Sequence, residues 1–380
     1  MAASAAPPVK GLEGIVATKS SICWIDGTAG VLAYRGIDIH ELAEQSDFEE
    51  TTYLLWYGRL PNRDELAKFH KELAAARTLD SHIYDLLRMV PRDATPMEVL
   101  RTAVSLLSLY DPDEKDSSHD ANLRKAYRIT SQIAMIVAVY DRIRKNLPLV
   151  DPDPSLSHSA NFLKMLTGKQ PLDEATRALD VALILQADHE LNASTFAARV
   201  IASTRAGLTS AVLGGISALK GPLHGGAPGP VIDMLDGIGT PSNARAWIEA
   251  ALARGDRLMG FGHRIYKVRD PRADALKGAV RRLTVGSNIM PGRLEFAEAV
   301  EAAALAILKE KKPNRPLDTN VEFYTALLLE ALAFPPSAFT CVFAMGRAAG
   351  WLAHAREQLA GGRLIRPQSR YIGPAPRKAA

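Results

Sequence analysis

Cysteine is scarce in this sequence, and its scarcity excludes one way of stabilising a fold. Only Cys23 and Cys341 occur among 380 residues. A chain with so few thiols cannot rest on a framework of disulfides, and such composition is typical of reducing compartments. The start, MAASAAPPVKG, also lacks the apolar stretch of a signal peptide and the arginines of a transit peptide. We therefore expect a cytoplasmic protein.

Long apolar runs and a strong charge of one sign are absent as well. No run of about 18 apolar residues occurs, so no segment is predicted to span a membrane. Lysine and arginine number 46 against 42 aspartate and glutamate, which leaves a net charge of +4. This excess is too small to indicate nucleic-acid binding, although it is compatible with anionic small ligands. We predict neither a nucleic-acid nor a membrane partner.

Patterns of alternating residues are scarce, whereas helical periodicity is present throughout. The best strand patterns are Ile22–Ile25 and Val31–Tyr34, around a turn at Asp26-Gly27, and they predict a hairpin. Elsewhere, apolar residues recur at spacings of three and four, which predicts amphipathic or buried helices. These helical segments are 96–110, 127–145, 175–187, 294–312 and 337–359. The predicted fold class is all-α, with at most a small N-terminal β-hairpin.

The length of the chain predicts two domains, because 380 residues exceed what one simple core usually organises. Glycine and proline concentrate in 214–230 and 313–319, and hinges between domains favour such stretches. We predict a small domain over 221–318 and a large domain built from 1–220 and 319–380. A ligand cleft is expected at the boundary between them.

Three of the nine histidines lie in polar, glycine-adjacent or capping contexts: His189, His224 and His263. An imidazole titrates near neutral pH, so these positions are candidates for proton transfer. The segment DHELN around His189 lacks the second histidine, four residues further on, that the zinc-protease motif requires. No cysteine is near any of the three histidines, so a metal site would need ligands from distant segments of the chain. GGISALKGP has the wrong order for a phosphate loop, and no dinucleotide fingerprint occurs. We predict no metal and no cofactor.

Six segments, in order along the chain, together resemble the citrate synthase family. The resemblance implies an all-α homodimer with a large and a small domain. It also implies condensation of acetyl-CoA with oxaloacetate to citrate and free CoA, without a metal or other cofactor. The segments are GLEGIVATKSSICWIDG, ADHELNASTFAARV, GPLHGGA, GFGHRIYKVRDPR, NVEFY and FAMGRAAGWLAH.

The resemblance implies three catalytic residues. His224, as a neutral imidazole, would donate a hydrogen bond to the enolate oxygen of the thioester. His263 would polarise and protonate the ketone of oxaloacetate. Glu322 would be the base, although the family more commonly has aspartate at this position. The glutamate side chain is one methylene longer, and a misplacement of the carboxylate by about 1 Å can lower the rate about 100-fold. Alternatively, Glu322 is a helix-start glutamate that satisfies backbone N–H groups.

The same resemblance assigns the binding of oxaloacetate to His189, Arg272 and Arg347, with Arg366 supplied by the partner subunit. Guanidinium groups match carboxylates two hydrogen bonds at a time. Arg347 is informative by itself, because it interrupts a largely apolar helix where an unpaired charge would be costly to bury. A structural ion pair with a buried carboxylate is the alternative explanation for Arg347, and a solvated surface position is the alternative for Arg272 and Arg366.

Supporting positions follow from the same comparison. Asn192 and Ser194 would support the oxaloacetate site, or they are ordinary helix caps. Arg264 and Lys267 would contact the phosphates of CoA, or they belong to a solvated basic face.

Two other functions stay open. One is 2-methylcitrate synthase using propionyl-CoA, because one methylene is worth only about 1–3 kcal/mol. The other is a catalytically lapsed binding or regulatory homologue, suggested by Glu322.

Overall fold

Helices make up nearly all the regular structure of the protein. The computed structural model describes residues 9–225, 228–287 and 290–374, and within these ranges it contains sixteen α-helices. None of the described helices is long and apolar enough to cross a membrane. The predicted all-α class is confirmed. The helices are α1 (Ile39–Gln45), α2 (Phe48–Tyr57), α3 (Arg63–Ala75), α4 (Ser81–Met89), α5 (Pro96–Tyr110), α6 (His119–Arg144), α7 (His158–Thr167), α8 (Asp173–Gln186), α9 (Ala193–Ser203), α10 (Leu208–Leu219), α11 (Pro228–Ile238), α12 (Ala244–Ala253), α13 (Pro271–Ser287), α14 (Arg293–Lys311), α15 (Val321–Ala331) and α16 (Phe339–Gly361).

Capping residues explain where helices begin. Helix α5 has the predicted bounds, because the side chain of Thr95 accepts the N–H of Glu98 and the side chain of Glu98 accepts the N–H of Thr95. Helix α6 begins at His119 rather than at 127, because the side chain of Ser118 accepts the N–H of Ala121 and starts the helix earlier. Its first turns are more polar than the apolar run from which the helix was predicted.

A small antiparallel sheet precedes the helices. Strand β1 (Cys23–Asp26) pairs with β2 (Val31–Tyr34), so the predicted hairpin is present with its first strand shifted by one residue, and β2 also pairs with a short β3 (Ile37–Asp38). The third strand was not predicted, because two residues are too few to show alternation. The tight turn between β2 and β3 places Arg35 at φ 51° and Gly36 at φ 86°, a conformation that glycine adopts without strain.

Helix α16 runs through the core and packs closely against α8. A Cβ at Gly346 would lie 2.8 Å from the carbonyl oxygen of Leu183, and one at Gly350 would lie 2.1 Å from that of Ala187. Only glycine therefore permits this approach of the two backbones. The contact holds Arg347, on α16, beside the C-terminal end of α8, where the chain leaves the helix toward His189.

Helix α13 contacts elements on both sides of the predicted domain boundary. It belongs to the predicted small domain, 221–318, yet it packs against α8 and α15, whereas α12 and α14 pack against each other within that domain. The division into two domains stays a prediction. The start of α13 lies next to the start of α15 and to the loop after α8, and these three chain segments carry most of the predicted site.

Candidate active site

A tight contact joins the loop after α8 to the loop before α13. His189 is 7% exposed, its Nε2 lies 3.2 Å from the hydroxyl of Tyr266, and its ring meets that of His263 edge-on with 5.3 Å between centroids. Burial, and next the positive charge of Arg272, hold the pKa of His189 well below its usual value. The imidazole is therefore neutral at physiological pH.

A short backbone pairing attaches the loop of His263 to the start of α15. Phe261 and Thr319 form an isolated antiparallel bridge, and the side-chain amide of Asn320 donates to the carbonyl oxygen of Gly262 at 2.8 Å. Gly262 has φ 85°, a conformation that favours glycine and turns the chain directly before His263. Two segments more than fifty residues apart in sequence are thereby held side by side.

Backbone donors determine which nitrogen of His263 carries the proton. The N–H groups of Ile265 and Tyr266 donate to its Nδ1 at 3.0 and 3.2 Å. Nδ1 is thus the unprotonated nitrogen, and the neutral ring carries its proton on Nε2. Burial, followed by the charge of Arg272, lowers the pKa of His263 to about 4. The ring is a neutral hydrogen-bond donor at neutral pH.

Arg272 is buried at the second residue of α13, not solvated, and Asp270 pairs with it. Its Nε and Nη2 donate to the two carboxylate oxygens of Asp270 at 2.9 and 2.7 Å. One of these oxygens also accepts the N–H of Val321 at 3.2 Å, which ties the pair to the first residue of α15. A guanidinium has five N–H donors, so the pairing with Asp270 leaves donors for a further anion.

Glu322 occupies the second position of α15. The side chain of Asn320 accepts the N–H of Glu322 at 3.0 Å, so Asn320 and not the glutamate caps this helix. Oε2 of Glu322 is buried and has no hydrogen-bond partner among the described residues. Burial raises the pKa of Glu322 to about 7, against the opposing charges of Arg272 and Arg347. Such a carboxyl group is suited to accept a proton at neutral pH.

His224 lies in the turn after α10 and contacts the N-terminus of α9. The N–H of Ser194 donates to its Nε2 at 3.3 Å, and the hydroxyl of Ser194 lies 2.8 Å from the same nitrogen. Because the backbone N–H can only donate, Nε2 is an acceptor, and the neutral ring carries its proton on Nδ1. Burial, and next the charge of Arg347, lower the pKa of His224 to about 4. This tautomer is opposite to that of His263.

The two predicted supporting residues have different roles. Asn192 caps α9, because its Oδ1 accepts the N–H groups of Ser194 and Thr195 at 3.1 and 3.0 Å. The hydroxyl of Ser194 lies 2.8 Å both from this oxygen and from Nε2 of His224, and its single proton can go to only one of them. The indole N–H of Trp351 donates to that hydroxyl at 3.1 Å. Ser194 is thus held from two sides against His224, with Asn192 behind it.

Arg347 is 1% exposed in the middle of α16. Its Nε donates to the carbonyl oxygen of Gln186 at 2.6 Å, and its guanidinium lies 4.8 Å from the ring centroid of Phe343. In the described ranges no carboxylate lies within ion-pair distance of it, so the alternative of a structural ion pair is not supported. Burial lowers the pKa of Arg347, and the nearby charge of Asp188 opposes this effect. A buried guanidinium in this state favours an anionic ligand.

The remaining predicted residues are exposed. Arg264 and Lys267 flank the loop of His263, and the ammonium of Lys267 donates to the carbonyl oxygen of Arg264 at 3.2 Å. Arg366 lies in the extended segment after α16, and within the described chain no hydrogen bond or ion pair joins it to the other predicted residues. A single chain therefore does not bring Arg366 into the site.

Two contributors were not predicted from the sequence. Asp270 stands two residues before Arg272, so the i to i+2 spacing of opposite charges in RDPR was a usable signal. Tyr266 links His189 to the loop of His263, with 4.8 Å between the ring centroids of Tyr266 and His263. No sequence signal identifies Tyr266, because its partner His189 lies 77 positions away.

The arrangement is typical of an enzyme that uses acid–base chemistry on an anionic ligand. Two neutral histidines offer N–H donors, a carboxyl group has a pKa near 7, and two buried guanidinium groups supply positive charge. The effects of the two arginines on the pKa values of the other groups indicate that all of these side chains lie close together. Arg272 lowers the pKa values of His189, His263 and Glu322. Arg347 affects those of His189, His224 and Glu322.

Comparisons with known proteins agree with this class of enzyme. A family model described as citrate synthase, C-terminal domain, matches residues 11–368. The citrate synthase of Haloferax volcanii is 43% identical over 369 residues, covering 96% of this chain and 95% of that protein. The 2-methylcitrate synthase of Mycobacterium tuberculosis is 40% identical over 364 residues, covering 96% and 90%.

A solved structure supports the same conclusion. The ternary complex of carboxymethyl coenzyme A and oxaloacetate with citrate synthase from Thermoplasma acidophilum superposes with a TM-score of 0.90 at 31% identity, covering 98% of this chain and 97% of that one. The chain belongs to the citrate synthase family. It is an enzyme of the acyltransferase class, so the predicted family and enzyme class are confirmed, and the lapsed homologue is not supported.

Proposed function

We propose that this enzyme condenses acetyl-CoA with oxaloacetate and hydrolyses the resulting citryl-CoA to citrate and CoA, the condensation of the tricarboxylic acid cycle. The thioester is a substrate, and the reaction needs no other cofactor. Family membership supports the proposal, as does the site. The observation that carries it is the opposite tautomers of His224 and His263, with the partly protonated Glu322 as the third group.

Each group has one role in the proposed reaction. Glu322 takes a proton from the methyl carbon of acetyl-CoA, and the C–H electron pair forms the enolate. The Nδ1–H of His224 donates a hydrogen bond to the thioester oxygen as charge develops there. The enolate carbon then attacks the ketone carbon of oxaloacetate, and the Nε2–H of His263 protonates the ketone oxygen. Water then attacks the thioester carbon as the C–S bond breaks. The departing CoA sulfur takes the proton held by Glu322, one proton of the water returns to Nε2 of His263, and the other goes to solvent as the new carboxyl group ionises.

Buried positive charge supports oxaloacetate as the second substrate. A dicarboxylate needs two cationic partners, and Arg272 and Arg347 are buried at 2% and 1% exposure beside His189. Arg272 already has Asp270, whereas among the described residues the hydrogen-bond acceptor of Arg347 is the backbone carbonyl of Gln186. We propose that one carboxylate of oxaloacetate binds Arg347 and so supplies its missing counter-charge. Asn192 and Ser194 support this site from the start of α9.

The proposal also includes a partner subunit, a domain movement and contacts with the phosphates of CoA. Arg366 of a partner subunit would complete the oxaloacetate site in a homodimer. The small domain, 221–318, would close over both substrates and exclude water. Arg264 and Lys267 would contact the phosphates of CoA. A cytoplasmic location stays a prediction, in keeping with two free cysteines.

A thiol-release assay tests the reaction. Purified protein is incubated with acetyl-CoA and oxaloacetate, and free CoA and citrate are measured separately. We expect both products in equal amounts, and no release when oxaloacetate is omitted. A folded protein that releases no CoA would contradict the proposal.

Mixing two inactive variants tests the shared site. Glu322→Gln and Arg366→Ala chains are refolded together, so that hybrid dimers contain one site with both changes and one site with neither. Recovered activity supports an Arg366 contributed across the interface. Continued inactivity of verified hybrid dimers contradicts it.

A second candidate is 2-methylcitrate synthesis from propionyl-CoA. The relative from Mycobacterium tuberculosis that bears this name is nearly as similar to this chain as the citrate synthases are. The ratio of kcat/KM for acetyl-CoA and propionyl-CoA decides between them. We expect acetyl-CoA to be preferred, and a tenfold preference for propionyl-CoA would reverse the assignment.

A further inference from the structure

The turn of the N-terminal hairpin lies directly against the loop that carries His263. The carbonyl oxygen of Gly27 accepts the N–H of Lys267 at 2.8 Å. A Cβ at Gly27 would lie 2.4 Å from the carbonyl oxygen of Ile265 and 2.9 Å from its carbonyl carbon, so the backbone of one segment would have to move. Gly27 is not among the residues with positive φ, so the requirement for glycine is steric.

The peptide group that Gly27 contacts is also the one that orients His263. The carbonyl of Ile265 and the N–H of Tyr266 belong to one planar unit, which moves as a whole. That N–H donates to Nδ1 of His263 at 3.2 Å, and the side chain of the same tyrosine contacts His189. Displacing the carbonyl of Ile265 therefore disturbs the hydrogen bond that determines the tautomer of His263.

The hairpin turn is itself well held. Oδ1 of Asp26 accepts the N–H groups of Thr28 and Ala29, each at 2.9 Å, which closes the turn locally. At the far end of the turn, a Cβ at Gly30 would lie 2.8 Å from Cγ2 of Val268. The turn therefore presents two glycines to the loop, with a backbone hydrogen bond between the two contacts.

We propose that Gly27 is a positioning residue for the condensation: the hairpin turn holds the Ile265–Tyr266 peptide, and through it the N–H of His263 that faces the substrate. This role deepens the proposed function and rests on it for its effect on rate. It gives the small sheet a part in catalysis, although no residue of the hairpin touches the reacting atoms in the proposed mechanism.

Two alanine variants in the same sheet separate positioning from stability. Gly27→Ala forces the Ile265 carbonyl to move, and a shift of about 1 Å costs about 100-fold, so we expect kcat to fall at least tenfold. Gly36→Ala is the matched control, because Gly36 has φ 86° and a Cβ at this position would have no described atom within 4 Å. We expect Gly36→Ala to lower the melting temperature through backbone strain while keeping kcat within about twofold.

A purely structural role would give another result. Both variants would then lose activity in proportion to their loss of stability, and this outcome overturns the proposal. If Gly27→Ala does not fold, Asp26→Ala replaces it, because the loss of two turn hydrogen bonds loosens the turn without a clash. A folded Asp26→Ala protein with wild-type kcat also overturns the proposal.

A measurement without substrate keeps this proposal distinct from the proposed function. In protein labelled with ¹⁵N-histidine, the nitrogen shifts of His263 report its tautomer directly, and a His263→Asn variant assigns the signal. We expect Gly27→Ala to reduce the Nε2–H population, whereas Gly36→Ala leaves it unchanged. Unchanged His263 shifts in Gly27→Ala contradict positioning even if the wild-type enzyme is active. Changed shifts in a protein without citrate synthase activity contradict only the function.

Discussion

The ionisation of Glu322 predicts that the rate rises with pH across the neutral range. Burial raises the pKa of Glu322 to about 7, and only the carboxylate form can accept the methyl proton. With that pKa, the carboxylate form makes up about 9% of the enzyme at pH 6 and about 91% at pH 8. We therefore expect kcat/KM to increase about tenfold over this interval. His224 and His263, with pKa values of about 4, stay neutral throughout it.

The assay follows the loss of thioester absorbance, so that the chemistry of a thiol reagent does not add its own pH dependence. Values of kcat/KM report groups of the free enzyme, which is the state the structure describes. Glu322→Gln is the control, and we expect its rate to be about 10²–10⁴-fold lower and independent of pH between 6 and 8. A flat wild-type profile, or an unchanged slope in Glu322→Gln, would refute the assignment of the base.

Three further changes test the surroundings of this base. Arg347→Met should raise the melting temperature, because it removes a buried charge that has no ion-pair partner in the part of the chain that the structure describes. The variant should also lose oxaloacetate binding measured by calorimetry, and a destabilised variant that still binds contradicts this prediction. Ser194→Ala keeps the backbone donor to His224 but removes the hydroxyl, so kcat should fall about tenfold at most, and a complete loss would assign the hydroxyl a larger role. Glu322→Asp shortens the arm by one methylene, and we expect kcat to fall about 100-fold; an equal or faster rate shows that the backbone does not require glutamate.

The order of motifs along the chain was enough to predict the family and the helical fold. Helical periodicity is a local property, so α5 has its predicted bounds, and the hairpin of β1 and β2 follows from alternation around Asp26-Gly27. The third strand and the early start of α6 were missed, because a two-residue strand and a polar first turn carry little hydrophobic signal. The roles of the site residues stay predictions, to be decided by the experiments above.

The contacts among the predicted residues required the folded chain. The rings of His189 and His263 meet edge-on although the two residues are 74 positions apart in the sequence. Arg272 is paired with Asp270 instead of being solvated. Arg347 illustrates the difference best. Its position in an apolar helix predicted an ion pair or a ligand, and the absence of a carboxylate partner among the described residues favours the ligand.

Which chemical groups are available can be read from the amino-acid sequence, because side-chain type and periodicity are local properties. The sequence placed glycines before His263 and a carboxyl group at the start of α15. The protonation states of His224 and Glu322, in contrast, depend on contacts that exist when the chain is folded. Ser194, thirty positions from His224, supplies the N–H that leaves the proton of that ring on Nδ1. The pKa of Glu322 depends on its burial and on the nearby charges of Arg272 and Asp270, about fifty positions earlier in the sequence, and both effects require the folded chain.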